Sequence, residues 1–174
     1  ATGGDGDHGT AIVTAFNAMG KAEGDDFKSY LKALSEGLQN AACGSTSTLY
    51  GSWLQGMSEA APANASELDA SGVAAMFQGG VEEIGFVTRA RIGDKTLMDT
   101  LLPATDALVA AQAQGVPAMF AAAADAAAAG AEATGPMRAR FGRAKNLGER
   151  SVGPRDAGAA SMACIFQAFA KTLK

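Results

Sequence analysis

Residues 49–57 read LYGSWLQGM and place Leu49, Trp53 and Met57 at intervals of four residues. Apolar side chains at that interval lie on one face of an α-helix, whereas a half-buried strand alternates apolar and polar residues. The same period recurs in stripes elsewhere, at Phe27, Leu31, Leu34 and Leu38, at Val73, Met76, Phe77 and Ile84, at Leu97, Leu101 and Leu108, and at Met162, Ile165, Phe166 and Phe169. No stretch alternates convincingly. The sequence therefore predicts an all-α fold of about six or seven amphipathic helices, whose short connections favour antiparallel neighbours.

Several residues are typical of helix ends. The aspartates at 25–26 and the segment SELD at 66–69 each precede an apolar stripe and predict N-terminal caps. Asp94 is expected to open a further helix, which Pro103 would kink. Pro117 suits the first turn of the alanine-rich helix that follows it. These signals predict where the helices begin.

The composition is that of one globular domain. The chain has 174 residues, of which 48% are hydrophobic and 18% charged, and we expect residues 1–174 to form a single helical domain. No apolar run reaches the roughly 20 residues of a membrane span. The first residues also lack the basic and apolar regions of a signal peptide. We therefore expect a cytoplasmic protein with no membrane partner.

The cysteines and the charge exclude several classes of site. Cys43 and Cys164 are too few and too far apart for a disulfide framework or a zinc ribbon, and both are predicted to be free thiols that are at least partly buried. The net charge of −4 argues against a nucleic-acid partner. Nine of the 14 basic residues nevertheless fall between Arg89 and Arg155. This region suits either a compact anionic ligand or a salt-bridged surface.

Three segments rich in small residues interrupt the helical pattern: GDGDHGT at 4–10, CGSTST at 43–48 and GRAKNLGERSVGPRDAG at 142–158. A helical bundle can bring such loops together at one end, so they form the predicted site. In the first segment, Asp5 and Asp7 flank a glycine and can aim two carboxylates at one hard cation, Mg²⁺, Mn²⁺ or Ca²⁺. An ordinary Asx turn is the alternative.

The other polar residues of these segments suit phosphate. His8, the single histidine of the chain, is either a structural hydrogen-bonding residue or a phosphate contact beside the metal. The hydroxyl residues of 43–48 stand where a helix is predicted to begin, which favours either a phosphate held by free amides or a plain Ser/Thr cap. Arg143 and Arg150 can hold phosphate through paired hydrogen bonds. From the residues alone, we predict a helical domain that binds a metal–phosphate ligand.

The motifs GDGDHGT, CGSTSTLYG, RIGDKTLMDTLLP and GRAKNLGERSVGPRDAGA occur in an order that resembles one family, the L subunit of dihydroxyacetone kinase. The resemblance extends over essentially the whole chain. It implies a barrel of eight antiparallel amphipathic helices with the nucleotide at one end. We expect the first of those helices to be missing from this sequence. The resemblance also implies two Mg²⁺ ions that bridge the phosphates of ADP or ATP.

The resemblance assigns roles to individual residues. Asp5 and Asp7 match two metal-coordinating aspartates, and Arg143 matches an arginine that contacts the nucleotide and is expected to orient its phosphates. The other matched nucleotide-binding positions are His8, Gly9, Thr10, Ala11, Gly44, Ser45, Thr46, Leu97, Asp156, Ala157 and Gly158.

The sequence also departs from the family pattern. The third metal aspartate of the family falls immediately before Ala1. Cys43 and Ser47 stand where the second loop usually has glycine, and Ala157 stands where proline is usual.

The activity implied by the resemblance is that of the nucleotide-binding subunit of a kinase for a short-chain ketose such as dihydroxyacetone. The ketose would be held by a separate K subunit, so a hetero-complex or a homodimer is expected. A phosphotransferase-system protein would rephosphorylate bound ADP, or ATP would exchange at each turnover. Two rival hypotheses are a nucleotide-dependent co-regulator of a transcription factor and a nucleotide domain like that of fatty acid kinase.

Overall fold

The computed structural model describes residues 7–41 and 43–173. Within these residues the chain forms seven α-helices and no β-strand, which confirms the predicted all-α fold. The helices are α1 (His8–Met19), α2 (Phe27–Asn40), α3 (Ser45–Ala60), α4 (Ala70–Val87), α5 (Met98–Ala110), α6 (Val116–Ala133) and α7 (Ala157–Thr172). Two 3₁₀ helices, Gln112–Gln114 and Arg143–Ser151, complete the secondary structure of the described part.

The chain divides into two compact units. The N-terminal unit is Gly9–Arg89, and the C-terminal unit is Ala90–Lys174 together with Ala1–His8. The N-terminal unit contains nearly all of α1 and the whole of α2, α3 and α4, whereas α5, α6 and α7 belong to the C-terminal unit.

Aspartate caps begin two helices of the N-terminal unit, as predicted. The Asp26 carboxylate accepts a hydrogen bond from the Ser29 amide at 2.7 Å, and the Ser29 hydroxyl accepts one from the Asp26 amide at 3.1 Å. Asp69 caps α4 by accepting from the amide of Gly72 at 2.7 Å. Each bond satisfies an amide that the first turn of a helix would otherwise leave without a partner.

The apolar stripe on α3 forms the core of the N-terminal unit. Trp53 and Met57 are buried, α3 packs against both α2 and α4, and the Trp53 ring meets the edge of Phe77 at a centroid distance of 5.9 Å. Glycine permits the close contact between α3 and α4. A Cβ on Gly56 would lie 2.2 Å from the carbonyl oxygen of Gly79, so the two backbones touch where side chains would separate them.

In the C-terminal unit, α6 packs against both α5 and α7. Helix α5 begins at Met98, so the prediction that Asp94 opens it was wrong. Gly93 and Lys95 have φ values of 96° and 61°, and this left-handed backbone interrupts any helix through residue 94. The Asp94 carboxylate instead accepts from the Arg91 amide at 2.8 Å. Pro103 lies inside α5 as predicted.

A buried lysine ties the connecting segments of this unit together. Lys95 is only 4% exposed, and its ammonium donates to the carbonyl oxygens of Thr134, Gly135 and Pro154 at 2.5, 3.3 and 2.7 Å. These carbonyls belong to the end of α6 and to the segment that leads into α7. Burial lowers the pKa of Lys95 below its usual range, and the carboxylates of Asp156 and Asp99 oppose that shift.

Several local predictions need correction. Residues 8–10 of the predicted first loop are helical, because α1 begins at His8. Within the predicted 142–158 loop, Arg143–Ser151 is a 3₁₀ helix that bends at Gly148, where φ is 56°. Cys43 is buried, but Cys164 on α7 is exposed, so the prediction that it is at least partly buried was wrong. In the described part of the chain, no helix combines the length and apolar character that crossing a membrane requires.

The close contact between α3 and α4 predicts opposite effects for two glycine substitutions. Gly56→Ala should destabilise the protein by about 2 kcal/mol, because its Cβ forces the helices apart. Gly85→Ala is the matched control, since Gly85 lies inside α4, as Gly56 lies inside α3, but an added Cβ at Gly85 meets nothing within 4 Å. It should gain about 0.5–1 kcal/mol from higher helix propensity. Urea unfolding followed by circular dichroism measures both, and equal effects would contradict the packing explanation.

The Lys95 contacts predict a second stability effect. Lys95→Met keeps the length of the side chain but removes three hydrogen bonds to carbonyl groups, and it should cost about 3 kcal/mol. Lys171→Met, at an exposed position in the last turn of α7, should change the free energy of unfolding by less than about 0.5 kcal/mol. A small loss for Lys95→Met in urea denaturation would show that the buried ammonium contributes little.

Candidate functional site

His8, in the opening motif GDGDHGT (residues 4–10), contacts the first turns of α7. His8 Nε2 lies 2.8 Å from the hydroxyl oxygen of Ser161. Ser161 Oγ in turn donates to the carbonyl oxygen of Ala157 at 3.0 Å, one turn earlier in the same helix. Both contacts lie inside the C-terminal unit. They bring His8, from one predicted segment, beside Ala157 in the closing segment, residues 156–158.

Asp156 caps α7 from within the closing segment. Its carboxylate accepts from the Ala159 amide at 2.8 Å, and its own amide donates to the Thr134 hydroxyl at 2.9 Å. Burial raises the pKa of Asp156, while the hydrogen bond from Ala159 and the charge of His8 act in the opposite direction. Asp156 is therefore held in place through both its carboxylate and its amide.

Leu97 completes this group of predicted residues. A Cβ added to Gly158 would lie 3.4 Å from Leu97 Cβ and 3.1 Å from the Asp156 carboxylate. Leu97 therefore packs directly against the backbone of Gly158. The structure thus brings together His8, Leu97 and the closing segment 156–158, which are far apart in the sequence.

The second predicted loop, residues 43–48, belongs to the N-terminal unit. Gly44 stands at the N-cap of α3 with φ 60°, and no side chain caps this helix in the part of the chain that the structure describes. The Ser47 hydroxyl instead accepts from the Cys43 amide and donates to the Ala41 carbonyl. The plain Ser/Thr cap is thus not what the structure has. The first amides of α3, at Ser45 and Thr46, suit an anionic group.

Three arginines of the basic region form ion pairs with carboxylates. Ion pairs join Arg138 to Glu149 at 3.0 Å, Arg140 to Asp94 at 3.4 Å and Arg155 to Glu132 at 2.6 Å. This arrangement supports the salt-bridged alternative for these three arginines. Arg150 and Lys145 are exposed, and neither has an ion pair among the described residues. Arg143 begins the 3₁₀ helix, and its side chain lies outside the description.

The predicted metal ligands are only partly within the described residues. Asp5 lies outside them, whereas Asp7 is exposed and directly precedes the anchored His8. Among the described residues, which include Asp7 and His8, no three His, Cys, Asp or Glu side chains approach closely enough to hold a metal. A carboxylate is a ligand that Mg²⁺ prefers, so Asp7 fits such an ion chemically. Gly9, Thr10 and Ala11 form the first turn of α1, where Gly9 and Thr10 are exposed.

Sequence reasoning missed two polar residues that shape this region. Ser161 anchors His8, and Thr134 holds the Asp156 amide while donating to the Ala131 carbonyl at 2.6 Å. Ser161 follows Ala157 by four residues, so helical register places it on the face of α7 below the closing segment. That register was a usable signal. Nothing in the sequence marks Thr134, because its role depends on how α6 meets α7.

Comparisons with known proteins identify the family of the chain. The family model of the DAK2 domain matches residues 3–171. The D-erythrulose kinase of Mycolicibacterium smegmatis is 36% identical over 171 residues, which are 94% of this chain and 29% of that protein. The ADP-binding subunit DhaL of PEP-dependent dihydroxyacetone kinase 1 from Listeria innocua is 30% identical over 173 residues, covering 97% of this chain and 82% of the subunit.

A solved structure is also similar. The dihydroxyacetone kinase of C. freundii in complex with AMP-PNP and Mg²⁺ superposes with a TM-score of 0.71 at 25% identity. The alignment covers 97% of this chain and 28% of that one. The chain thus spans less than a third of the two longer kinases and most of the DhaL subunit. The match over residues 3–171 shows that the chain belongs to the DAK2 domain family.

Proposed function

We propose that this chain binds ADP or ATP together with Mg²⁺ and serves as the nucleotide-binding part of a kinase for a short-chain ketose. The observation that carries the proposal is the similarity to an ADP-binding subunit over 97% of this chain and 82% of that subunit. The contact of His8 with the first turns of α7 supports it, since it joins two of the predicted nucleotide-binding segments.

Each predicted residue then has a chemical task. Asp5 and Asp7 would hold Mg²⁺, which supplies the positive charge that neutralises the phosphates of a bound nucleotide. Arg143 would orient the phosphates through charge-assisted hydrogen bonds. The amides of Ser45 and Thr46 would donate to a phosphate, since α3 has no side-chain cap of its own. Phosphoryl transfer of this kind depends on positioning and charge, so no side chain here need act as a general base.

The base and ribose have candidate contacts in the C-terminal unit. Leu97 is buried and lies against Gly158, so it offers an apolar contact beside a backbone without a side chain. We assign Leu97 to the adenine, and His8, Asp156 and Ala157 to the adjoining part of the nucleotide. The assignment of Gly9, Thr10 and Ala11 follows from their place in the turn after His8.

The relatives suggest the acceptor and the partner. One similar protein is named a D-erythrulose kinase, and others are subunits of PEP-dependent dihydroxyacetone kinases. We therefore propose a ketose of three or four carbons as the phosphate acceptor. A separate K subunit or domain would hold it, and for a PEP-dependent enzyme a phosphotransferase-system protein would rephosphorylate bound ADP. Co-elution with such a subunit, and ketose phosphate formation only when both are present, would test this arrangement.

The metal role of Asp7 predicts that removing the charge of its carboxylate weakens nucleotide binding. Asp7→Asn should weaken ADP binding in Mg²⁺ by roughly 10- to 100-fold, since a lost charge-assisted contact is worth about 1.5–3 kcal/mol. Asp125→Asn, at an exposed site on α6, is the control and should bind as the wild type does. Titration calorimetry with and without EDTA measures these affinities. No ADP binding by the wild-type chain in Mg²⁺ would refute the proposed function.

The phosphate role of Arg143 predicts that two substitutions in the same 3₁₀ helix have different effects on ADP binding. Arg143→Ala should weaken ADP binding by roughly tenfold or more, because a bidentate contact to phosphate is lost. Lys145→Ala removes an exposed charge two residues away and should have little effect. The same calorimetric titration, repeated at two salt concentrations, checks the pair. Equal and strongly salt-dependent losses would point to general attraction by the basic region instead.

A further inference from the structure

The hydroxyl group of Ser161 has two neighbours and one hydrogen. Its oxygen lies 3.0 Å from the Ala157 carbonyl oxygen and 2.8 Å from His8 Nε2. The carbonyl can only accept, so that contact uses the Ser161 hydrogen. The contact with His8 is then a hydrogen bond only if Nε2 carries a hydrogen and donates it to Ser161 Oγ. Both contacts are satisfied at once in this one arrangement.

We propose that Ser161 is a positioning residue that holds the His8 ring as the Nε2–H tautomer and thereby anchors the opening motif to α7. The inference deepens the proposed function and rests on it for its consequence at the nucleotide. It assigns a role to a residue outside the predicted site, because Ser161 acts through His8. A histidine in a functional site commonly has one nitrogen fixed by such a partner while the other faces the ligand.

The fixed tautomer limits what His8 can recognise. With Nε2 committed to Ser161, Nδ1 is the nitrogen left for a ligand. In the neutral ring this atom carries no hydrogen and can only accept a hydrogen bond. It therefore suits a donor such as a ribose hydroxyl or a water molecule bound to a cation, rather than an unprotonated phosphate oxygen. His8 would in this way select the hydrated edge of a metal–nucleotide complex.

The contact between Ser161 and His8 also affects the neighbouring Asp7, which is proposed to bind the metal. His8 is the first residue of α1, and Asp7 directly precedes it. Fixing the ring therefore restrains the backbone beside the carboxylate that is proposed to hold Mg²⁺. Asp156, whose carboxylate accepts from the Ala159 amide, is an acid on the α7 side whose charge interacts with His8.

The single histidine makes the tautomer directly measurable. Long-range ¹H–¹⁵N correlation spectra of the untagged, nucleotide-free full chain, in mildly alkaline buffer where imidazole is neutral, contain the signals of one ring. We expect a protonated Nε2 and an unprotonated Nδ1. In Ser161→Ala the two tautomers should interconvert and give averaged signals. A wild-type ring protonated at Nδ1, or a ring unchanged in Ser161→Ala, would overturn the proposal.

A matched control separates the histidine contact from the helix. The Thr172 hydroxyl donates to the Ala168 carbonyl at 2.9 Å, the same local bond that Ser161 makes to Ala157. Thr172→Ala should leave the His8 signals as they are. Alanine favours helix, so both variants should fold.

Nucleotide affinity provides a second readout. Ser161→Ala should weaken binding of ADP in Mg²⁺ by about tenfold, as losses of residues that orient a ligand group commonly do, while Thr172→Ala binds normally. Wild-type affinity in Ser161→Ala would contradict the positioning role even if the tautomer is as expected. If the wild-type chain does not bind ADP, the proposed function fails, and the ring signals still decide whether Ser161 fixes His8.

Discussion

A buried ammonium group holds together the segments that form the predicted site in the C-terminal unit. Moving a lysine charge out of water costs several kcal/mol unless hydrogen bonds replace the lost water. Lys95 obtains those bonds from three carbonyl groups, two at the end of α6 and one at Pro154. Pro154 lies two residues before Asp156, the cap of α7. The hydrogen bond from the Lys95 ammonium to Pro154 therefore restrains the backbone where α7 begins.

A second restraint acts beside the first. The Asp156 amide donates to Thr134, whose carbonyl oxygen is also bound by Lys95. Thr134 therefore joins the end of α6 to the start of α7 in two ways. Its hydroxyl accepts from the Asp156 amide, and its carbonyl shares the Lys95 ammonium with the carbonyl of Pro154. The contacts of Leu97 with Gly158 and of His8 with Ser161 rest on a helix start that is already fixed. Preorganisation of this kind lets a site bind a ligand without first ordering its own backbone.

The parts of the fold that could be predicted are those governed by local chemistry. The period of the α3 stripe and the caps at Asp26 and Asp69 were visible in the sequence because each depends on residues a few positions apart. Asp94 misled for the opposite reason. An aspartate before an apolar stripe resembles a cap, but the left-handed backbone at Lys95 is required by contacts with residues some 40–60 positions later.

In the candidate site, too, local sequence signals could be recognised, whereas roles that depend on long-range contacts were missed. Motifs and the family resemblance identified His8, Leu97 and the closing segment, and the structure brings these together. Thr134 could not be identified because its role depends on a long-range contact between helices, whereas the helical spacing of Ser161 from Ala157 was a signal that the sequence reasoning did not use. The roles of Asp5, Arg143 and the other predicted ligand contacts stay predictions.

The exposure of Cys164 has a practical consequence. It lies on α7 three residues after Ser161, and its thiol is open to solvent, whereas Cys43 is buried in the N-terminal unit. Cysteine reagents react with accessible thiols far faster than with buried ones. The natural chain therefore offers one attachment point for a fluorophore or spin label, within a helical turn of the His8 contact. Rearrangements of the opening motif can be followed spectroscopically without introducing a single foreign residue.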